Sequence, residues 1–290
     1  MKDLTVFVLT HNRKELLLET IQSILHQTCH DFKFIVSDNS SDDETTKLLM
    51  ENNLLDKLEY RKRDKEYTGS EHLNLCLSEV DTKYFILFHD DDIMLPNMVE
   101  RLYSVINGSA YVAVGCNCFF ILAGKVTNKR MMKENTDIEL TNSTDLFKQY
   151  YKCSIVPYPS YIYNRDILRQ MRVAEDAGKY SDVVTLSNWL EKGKMYWISD
   201  PLLYYRLHSA QSSAQYSYRE QLKLIRFFNA RIQDKKLIRM YRLQQLYRNV
   251  VYESLLLNKK DRFALQILKK ESLFNFYIKY LVKVFFFQTL

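Results

Sequence analysis

The chain has 290 residues, of which 47% are hydrophobic and 26% charged, and this composition excludes an intrinsically disordered protein. Such a length can bury one large core or two smaller ones. The net charge of +6 is uneven, because residues 215–290 carry 16 Lys and Arg against 5 Asp and Glu, which leaves 25 against 30 for residues 1–214. The basic part suits an anionic surface, whereas the acidic part suits cations. We therefore predict a domain boundary near residue 214.

The cysteines and the apolar segments help to predict the cellular compartment of the protein. The five cysteines are odd in number, lie in apolar runs and include no Cys-x-x-Cys pair, which favours reduced, buried thiols in a cytoplasmic protein. We expect no secretory signal before the first strand and no segment that spans a bilayer.

The first third of the chain alternates between two periodicities. Period-2 or continuous apolar runs predict strands, and apolar residues at spacings of three and four predict helices. This alternation is typical of a parallel sheet with crossover helices. The predicted strands are 4–9, 32–36, 58–61 and 84–88, and the predicted helices are 16–25, 44–51, 71–78 and 97–106.

The remaining chain is less regular. We predict a long apolar strand in 111–122, a hairpin turn at 123–125, a polar irregular loop at 131–142 and two strands on either side of Pro201. From Tyr218 onward the pattern is helical. Two lysines interrupt the last apolar run, so it is expected to lie in a membrane interface rather than to cross it. Further predictions are helices from 143 or 144 to 151 and over 181–190, a strand at 160–163, a helical turn at 166–171, and a polar stripe of Glu271, Asn275, Lys279 and Lys283.

Three consecutive carboxylates, Asp90, Asp91 and Asp92, follow the buried strand 84–88. Adjacent acids repel one another and raise their own pKa values unless a divalent ion or another positive group neutralises them. Carboxylate oxygens suit magnesium or manganese, which in turn suit phosphate oxygens. The alternative is that Asp92 caps the next helix, which explains one acid but not three.

Other polar residues are predicted at the same edge of the sheet. Thr10, Asn12 and Asp38 each follow a predicted strand, and ligands of such sheets bind beyond the carboxyl ends of the strands. Asp38 alone is equally consistent with a loop residue that caps the following helix.

Several motifs follow one another in a characteristic order and spacing: 5–13, 23–28, 34–42, Gly69 with Asn74, the acid cluster four residues before Pro96, and 200–208. Together they resemble the inverting glycosyltransferases of family 2, which have the GT-A fold. The resemblance covers roughly residues 4–213 and implies an α/β fold with a mostly parallel, Rossmann-like central sheet and flanking helices in residues 1–214. The helical pattern after Tyr218 predicts an all-helical region in residues 215–290.

The resemblance assigns donor-binding roles to residues at the sheet edge. It implies that Asp38 accepts the imide N–H of a uracil-like base, with Thr10, Asn12 and Asn74 also at the nucleotide. Asp91 is similar to the metal-binding acid of the Asp-x-Asp motif, and Asp90 lies close to the ribose and the metal. The chain departs from the motif at His89, which stands where the first acid is expected. His11, His72 and His89 are expected to be loop or packing residues, with a contact to the base as the alternative for His11.

The later segments carry the implied chemistry. Asp182 is similar to the general base of the family, with Ser181 replacing the usual Glu, although it is also consistent with a helix N-cap. A one-step displacement would invert the anomeric centre. His208 resembles a late histidine that reaches the metal or diphosphate. Further implied residues are Arg206, Gln211 and Ser213 for phosphate, and Tyr158 and Ser160 near the acceptor, where 158–160 is alternatively only a turn.

The expected protein is thus a cytoplasmic hexosyltransferase that uses a UDP-sugar, carrying a hexose or N-acetylhexosamine, with Mn²⁺ or Mg²⁺. Its expected acceptor is a lipid-linked or lipopolysaccharide or capsule glycan of a bacterium. The basic helices are expected to attach it peripherally to the inner face of the inner membrane, with a solvated helix face or a homodimer contact as alternatives and no nucleic-acid partner.

Two other functions stay open at this point. A sugar-phosphate nucleotidyltransferase uses a similar sheet and metal, but it usually needs a Gly-rich loop after the first strand, and the first glycine here is Gly69. The other is a non-catalytic carbohydrate-binding protein with the same fold.

Overall fold

A computed structural model describes residues 2–152, 154, 158–207 and 218–256. The chain forms two compact units, one of residues 1–176 and 181–209 and one of residues 177–180 and 210–290. The domain boundary expected at residue 214 lies outside the described residues and stays a prediction.

The first half of the larger unit has the predicted alternation of strands and helices. Every expected element is present, with ends that differ by a few residues at most. The elements are β1 (Leu4–Thr10), α1 (Lys14–Leu25), β2 (Lys33–Asp38), α2 (Glu44–Glu51), β3 (Glu59–Lys62), α3 (Gly69–Ser78) and β4 (Tyr84–His89).

The second half of this unit is a mixture of short and long elements. The short 3₁₀ turn Tyr158–Ser160 adds to them, and a second one, Glu175–Tyr180, begins in this unit and ends in the smaller one. The other elements are β5 (Ile93–Met94), α4 (Met98–Ile106), β6 (Ala113–Leu122), β7 (Lys125–Arg130), β8 (Ile138–Leu140), α5 (Ser143–Tyr151), β9 (Tyr161–Asn164), α6 (Arg165–Leu168), α7 (Ser181–Leu190) and β10 (Met195–Leu207).

One mixed sheet forms the centre of the unit. Its strand order is β3-β2-β1-β4-β9-β6-β10-β5, with β7 beside β6 and β8 beside β10. The strands β1 to β4 are mutually parallel, β9 is antiparallel to both β4 and β6, and β10 is parallel to β6. Both faces of the central strands are buried, which is why 84–88 is continuously apolar.

The hairpin between β6 and β7 forms as predicted. Ala123 and Gly124 both adopt positive φ angles, 48° and 75°, and these are the backbone angles that a tight two-residue hairpin turn requires. Glycine adopts a positive φ without a steric penalty, so Gly124 at the end of an apolar strand was enough to predict the turn.

Two sequence predictions in this half are wrong. The segment 131–142 contains β8, which pairs with β10, so it is not wholly irregular. The two strands expected around Pro201 are one strand with a register shift at Pro201. Asn117, fully buried on β6, spans this irregularity, because its side-chain N–H groups donate to the Ser199 carbonyl at 3.0 Å and to the Met132 carbonyl at 2.8 Å. A long-range amide contact of this kind has no local sequence signature.

The described residues of the smaller unit form two helices, α8 (Tyr218–Arg231) and α9 (Lys235–Leu256). Leu224 and Phe228 on α8 are buried, as is Tyr241 on α9, whose hydroxyl donates to the Gln221 side chain at 2.7 Å. The predicted polar stripe of the last helix lies outside the described residues. Within the described part of the chain, no helix combines the length and the apolar content that crossing a bilayer requires.

Candidate active site

The carboxyl ends of β1, β2 and β4 meet at one edge of the sheet. In the strand register Thr10 lies opposite Asp38, and Leu9 lies opposite His89. The next residue after His89 is Asp90, and the Thr10 hydroxyl donates to its Oδ2 at 2.8 Å. The parallel pairing therefore brings together the first predicted donor-binding residues from three distant segments.

The acid cluster that follows β4 is buried. Asp90 and Asp91 are 3% and 4% exposed, and Asp92 is fully buried. Arg13 lies against two of these acids, because its Nη1 is 3.2 Å from Asp90 Oδ1 and 3.0 Å from Asp91 Oδ2. Burial raises the pKa of Asp90, and the Arg13 guanidinium opposes that rise. Arg13 is a neutralising positive group that sequence reasoning did not single out.

Asp92 is held by the strand that returns from the other side of the sheet. The antiparallel pair of β5 and β10 brings the backbone N–H of Arg206 to Asp92 Oδ1, at 2.9 Å. The Arg206 Nε donates to the Asp91 carbonyl at 2.8 Å, and its Nη2 donates to Glu19 at 2.6 Å. Asp92 does not cap α4, whose N-cap residue is Asn97. The phosphate role predicted for Arg206 stays a prediction.

The same cluster has the donor atoms for a metal ion. One ligand atom each of His89, Asp91 and Asp92 lie within 4.8 Å of one another. Asp92 Oδ2 is buried without a hydrogen-bond partner, and a cation would satisfy it. These observations fit a divalent ion and include Asp91, whereas His208, the other expected ligand, lies outside the described residues.

Asp38 lies in a closed polar environment at the end of β2. It is fully buried, and its Oδ2 accepts from the Tyr60 hydroxyl at 2.7 Å while its Oδ1 accepts from the Ser40 backbone N–H at 2.9 Å. The Nζ of Lys62 lies 3.8 Å from the same carboxylate. The N-cap residue of α2 is Asp43, so Asp38 does not cap that helix. Sequence reasoning missed Tyr60 and Lys62, which β3 brings in by pairing with β2.

Asn12 and Asn74, both predicted near the nucleotide, stabilise the surrounding loops. Asn12 has a φ of 55°, and its backbone N–H donates to the Ser40 hydroxyl at 2.8 Å. Asn74 Oδ1 accepts from the Val173 backbone N–H at 2.8 Å. Their nucleotide contacts stay predictions.

A buried polar network lies next to Asp38. The Ser37 hydroxyl contacts His72 Nε2 at 2.5 Å and accepts from Arg63 Nε at 2.9 Å, and Arg63 forms an ion pair with Glu79 at 2.7 Å. Burial lowers the pKa of His72 to about 4, so the imidazole is neutral at pH 7. His72 is thus a packing residue, as the sequence suggested, and it supports the β2 strand end.

Asp182 occupies the first turn of α7, where it is half-buried. Burial raises the pKa of this carboxyl to about 6, against a smaller opposing effect of the Val183 backbone N–H, which donates to Oδ1 at 2.8 Å. A pKa near neutrality is what a general base requires.

The charges of Asp182 and of the acid cluster both act on Tyr205. Burial raises the pKa of the Tyr205 phenol, and the charges of Asp92, Asp182 and Asp91 raise it further. All three carboxylates therefore lie within electrostatic reach of one hydroxyl on β10. Sequence reasoning did not select Tyr205, because a Tyr in a strand usually packs in a core.

The predicted acceptor residues are only partly described. Tyr158 lies in a 3₁₀ turn, and its side chain is outside the description. Ser160 is fully buried, and its carbonyl accepts from the Cys116 thiol at 3.4 Å. Gln211 and Ser213, like His208, lie outside the described residues, and the roles of all five stay predictions.

Comparison with known proteins identifies the family. The sequence model described as Glycosyl transferase family 2 matches residues 5–172, which is more than half of the chain. The chain belongs to glycosyl transferase family 2. This match confirms the expected family and the expected transferase class, and the structural neighbours agree with the α/β fold of the GT-A type.

Individual relatives are distant. The chain is 26% identical over 217 residues to GalNAc(5)-diNAcBac-PP-undecaprenol beta-1,3-glucosyltransferase of Campylobacter jejuni. The aligned region covers 73% of this chain and 67% of that protein. The structure of S. aureus TarS 1–349 in complex with UDP-GlcNAc has a TM-score of 0.63 at 16% identity and covers 92% of this chain and 79% of that one. The chain spans only 44% of a longer S. aureus TarS structure.

A third similar structure contains a metal. Mannosyltransferase PcManGT from Pyrobaculum calidifontis, in complex with GDP-Man and Mn²⁺, has a TM-score of 0.57 at 14% identity and covers 99% of this chain and 84% of that one. At these identities the similarity shows the fold alone.

Proposed function

We propose that this protein is an inverting glycosyltransferase that moves a hexose or N-acetylhexosamine from a UDP-sugar to a hydroxyl of a lipid-linked or lipopolysaccharide or capsule glycan. The observation that carries the proposal is the buried acid cluster at the carboxyl ends of the parallel strands, and the raised pKa of the Asp182 carboxyl in the same unit supports it. The family match favours glycosyl transfer over the nucleotidyl transfer that the sheet alone allowed.

The donor half of the proposal rests on the strand ends. Asp38, at the end of β2, accepts the imide N–H of uracil, for which a carboxylate is a strong acceptor. Because Asp38 is fully buried, the base approaches only if the Tyr60 hydroxyl or the adjacent loop shifts. Asp90, fixed by Thr10, then lies near the ribose. UDP and UDP-GlcNAc in the similar TarS structures support a uridine donor.

Asp91 and its neighbours would hold a divalent ion, Mn²⁺ or Mg²⁺, at the diphosphate. The partnerless Oδ2 of Asp92 and the close approach of His89, Asp91 and Asp92 fit such an ion. When bound, it stabilises the negative charge that grows on the leaving diphosphate. The Mn²⁺ in the PcManGT structure supports this assignment.

Asp182 acts as the general base. Its carboxylate accepts the proton of the acceptor hydroxyl while that oxygen forms a bond to the anomeric carbon. The bond from that carbon to the diphosphate oxygen breaks, and its electron pair leaves with UDP. Attack from the side opposite to the leaving group inverts the anomeric centre. A pKa of about 6 leaves Asp182 mostly ionised at pH 7 and able to accept this proton.

The acceptor and the location are proposed from weaker observations. The Campylobacter relative is named for a polyprenol-linked substrate, which supports a lipid-linked acceptor here. The excess of positive charge in residues 215–290 supports peripheral attachment to the inner face of the bacterial inner membrane. Packing of the C-terminal helices against a second copy of the chain is the alternative use of this region.

A donor screen tests the proposal. The purified protein is incubated with Mn²⁺ and a panel of UDP-, GDP- and CDP-sugars, and release of the nucleoside diphosphate is measured, with water receiving the sugar where no glycan is present. We expect UDP release from one UDP-sugar and none from the Asp182→Asn variant. Absence of turnover with every nucleotide sugar, or equal turnover by the Asp182→Asn variant, would contradict the proposal.

A further inference from the structure

The three side chains that could hold a metal ion, His89, Asp91 and Asp92, include an imidazole as well as two carboxylates. His89 is the last residue of β4 and lies two residues before Asp91 and three before Asp92. We propose that His89, Asp91 and Asp92 form one mixed nitrogen and oxygen cation site that selects Mn²⁺ over Mg²⁺. This inference rests on the proposed function, since the cation would serve the donor diphosphate.

The first argument is the geometry of the three side chains. One ligand atom of each lies within 4.8 Å of the other two. Two ligand atoms that bind the same ion at about 2.0 to 2.2 Å are at most about 4.4 Å apart. The three side chains therefore reach a common ion with movements of less than about an ångström, which side-chain rotation supplies.

The second argument is the state of Asp92. Its side chain is fully buried, and its Oδ2 has no hydrogen-bond partner. The other oxygen, Oδ1, is fixed by the backbone N–H of Arg206 at 2.9 Å. Buried polar atoms of native proteins are almost always paired, so an unpartnered carboxylate oxygen beside two further ligands is suited to bind a cation.

Arg13 supplies positive charge to a different part of the cluster. Its guanidinium contacts Asp90 and Asp91, at 3.2 and 3.0 Å, and among the described contacts it forms no ion pair with Asp92. The charge of Asp90 and part of that of Asp91 are thus balanced by the chain itself. Asp92 Oδ1 accepts the backbone N–H of Arg206, whereas its buried Oδ2 has no hydrogen-bond partner, so Oδ2 is the oxygen that gains most from an ion.

The imidazole decides the choice of ion. Mg²⁺ strongly prefers oxygen ligands, whereas the affinity of a nitrogen ligand rises along the first-row transition ions. Replacing one carboxylate by a neutral imidazole also removes a negative charge from the site, which weakens binding of a hard ion. His89 therefore lowers the affinity of the site for Mg²⁺ more than its affinity for Mn²⁺.

Electron paramagnetic resonance of Mn²⁺ bound to the full-length protein, with histidine labelled with ¹⁵N, tests this directly. The samples contain metal alone and no nucleotide sugar. We expect a nitrogen hyperfine coupling in the wild type that is absent in His89→Asp and present in the control His11→Gln, which changes an exposed histidine at the same sheet edge. Competition by Mg²⁺ is measured on the same samples. We expect His89→Asp to reduce the preference for Mn²⁺ over Mg²⁺ by about tenfold or more.

His208 provides the rival assignment. If the coupling disappears in His208→Gln and persists in His89→Asp, the nitrogen ligand is His208 and the inference is overturned. A wild type without nitrogen coupling, or an unchanged Mn²⁺ to Mg²⁺ preference in His89→Asp, overturns it as well. The assay contains no donor, so a protein that binds Mn²⁺ through His89 but transfers no sugar would refute the proposed function and leave this inference standing.

Discussion

The backbone N–H of Arg206 donates to Asp92 Oδ1 at 2.9 Å, although 114 residues separate them in the chain. This bond joins β10 to the loop after β4, and the Arg206 side chain adds a second contact to the Asp91 carbonyl. The acid cluster is thus fixed from both sides, by Arg13 after β1 and by Arg206 on β10. A fixed cluster lowers the reorganisation that donor binding requires.

Arg206→Ala tests this fixation. The substitution keeps the backbone bond to Asp92 but removes the contact to the Asp91 carbonyl and the ion pair with Glu19. We expect donor affinity, measured by calorimetry with UDP and Mn²⁺, to fall by about tenfold, because a charge-assisted hydrogen bond contributes about 1.5–3 kcal/mol. The control Arg101→Ala removes an exposed ion pair with Asp200 and should leave the affinity unchanged. Equal affinities of both variants would refute the role of Arg206.

The pH dependence of turnover tests Asp182. Its pKa is raised by burial to about 6, and a general base is active only when deprotonated. We therefore expect kcat/KM to rise with pH, with an acidic limb centred near 6, and to be flat above it until another group titrates. Asp182→Asn should remove the limb and lower kcat by at least about a hundredfold. A limb that persists in Asp182→Asn would assign it to another group.

Asp38→Asn tests recognition of the base. The amide oxygen still accepts from the Ser40 backbone N–H, but the NH2 group that replaces Oδ2 can only donate to the Tyr60 oxygen. The substitution also removes the negative charge that favours the imide N–H of uracil. We expect the UDP dissociation constant to increase by about tenfold or more, because hydrogen bonds to charged acceptors are about twice as strong as neutral ones.

The matched control for Asp38 is Asp42→Asn, an exposed residue of the following loop. It should bind UDP like the wild type. Weakening by the same factor in both variants would point to a general loss of negative charge rather than to a specific contact, and it would count against the assignment of Asp38.

Gly115→Ala tests the core behind the site. A Cβ at this position would lie 2.5 Å from the Tyr161 ring and 2.6 Å from the Trp197 ring, both of which are fully buried. Overpacking of this kind costs about 1–3 kcal/mol of unfolding free energy. Chemical denaturation should show the loss, whereas Gly69→Ala, where nothing lies within 4 Å of the added Cβ, should be neutral or slightly stabilising. A Gly115→Ala protein as stable as the wild type would contradict the packing described here.

The sequence predicted the elements that depend on local pattern. The strands from β1 to β4 and the helices between them follow from apolar periodicity and turn residues, and the parallel order then places Thr10, Asp38 and Asp90 at one edge. The β8 strand was missed, because three residues paired only through β10 have no periodicity of their own.

The contacts that assemble the site depend on tertiary pairing instead. Tyr60 reaches Asp38 because β3 pairs with β2, and Arg206 reaches Asp92 because β10 returns to the sheet beside β5. Neither contact has a sequence spacing that reveals it. The position of His89 and Asp92 at the end of a buried strand could have predicted a metal-binding role. The Asp-x-Asp motif, however, selects only Asp91 among these three residues.

The central claim is that the acid cluster and Asp182 act on the same bound UDP-sugar, one on the diphosphate and the other on the acceptor hydroxyl. The most direct test measures Mn²⁺-dependent UDP binding by calorimetry and sugar transfer on the same three proteins. We predict that Asp91→Asn loses Mn²⁺-dependent binding and transfer, whereas Asp182→Asn binds UDP like the wild type and transfers no sugar. Wild-type transfer by Asp182→Asn, or UDP binding that does not depend on Mn²⁺ and Asp91, would contradict the claim.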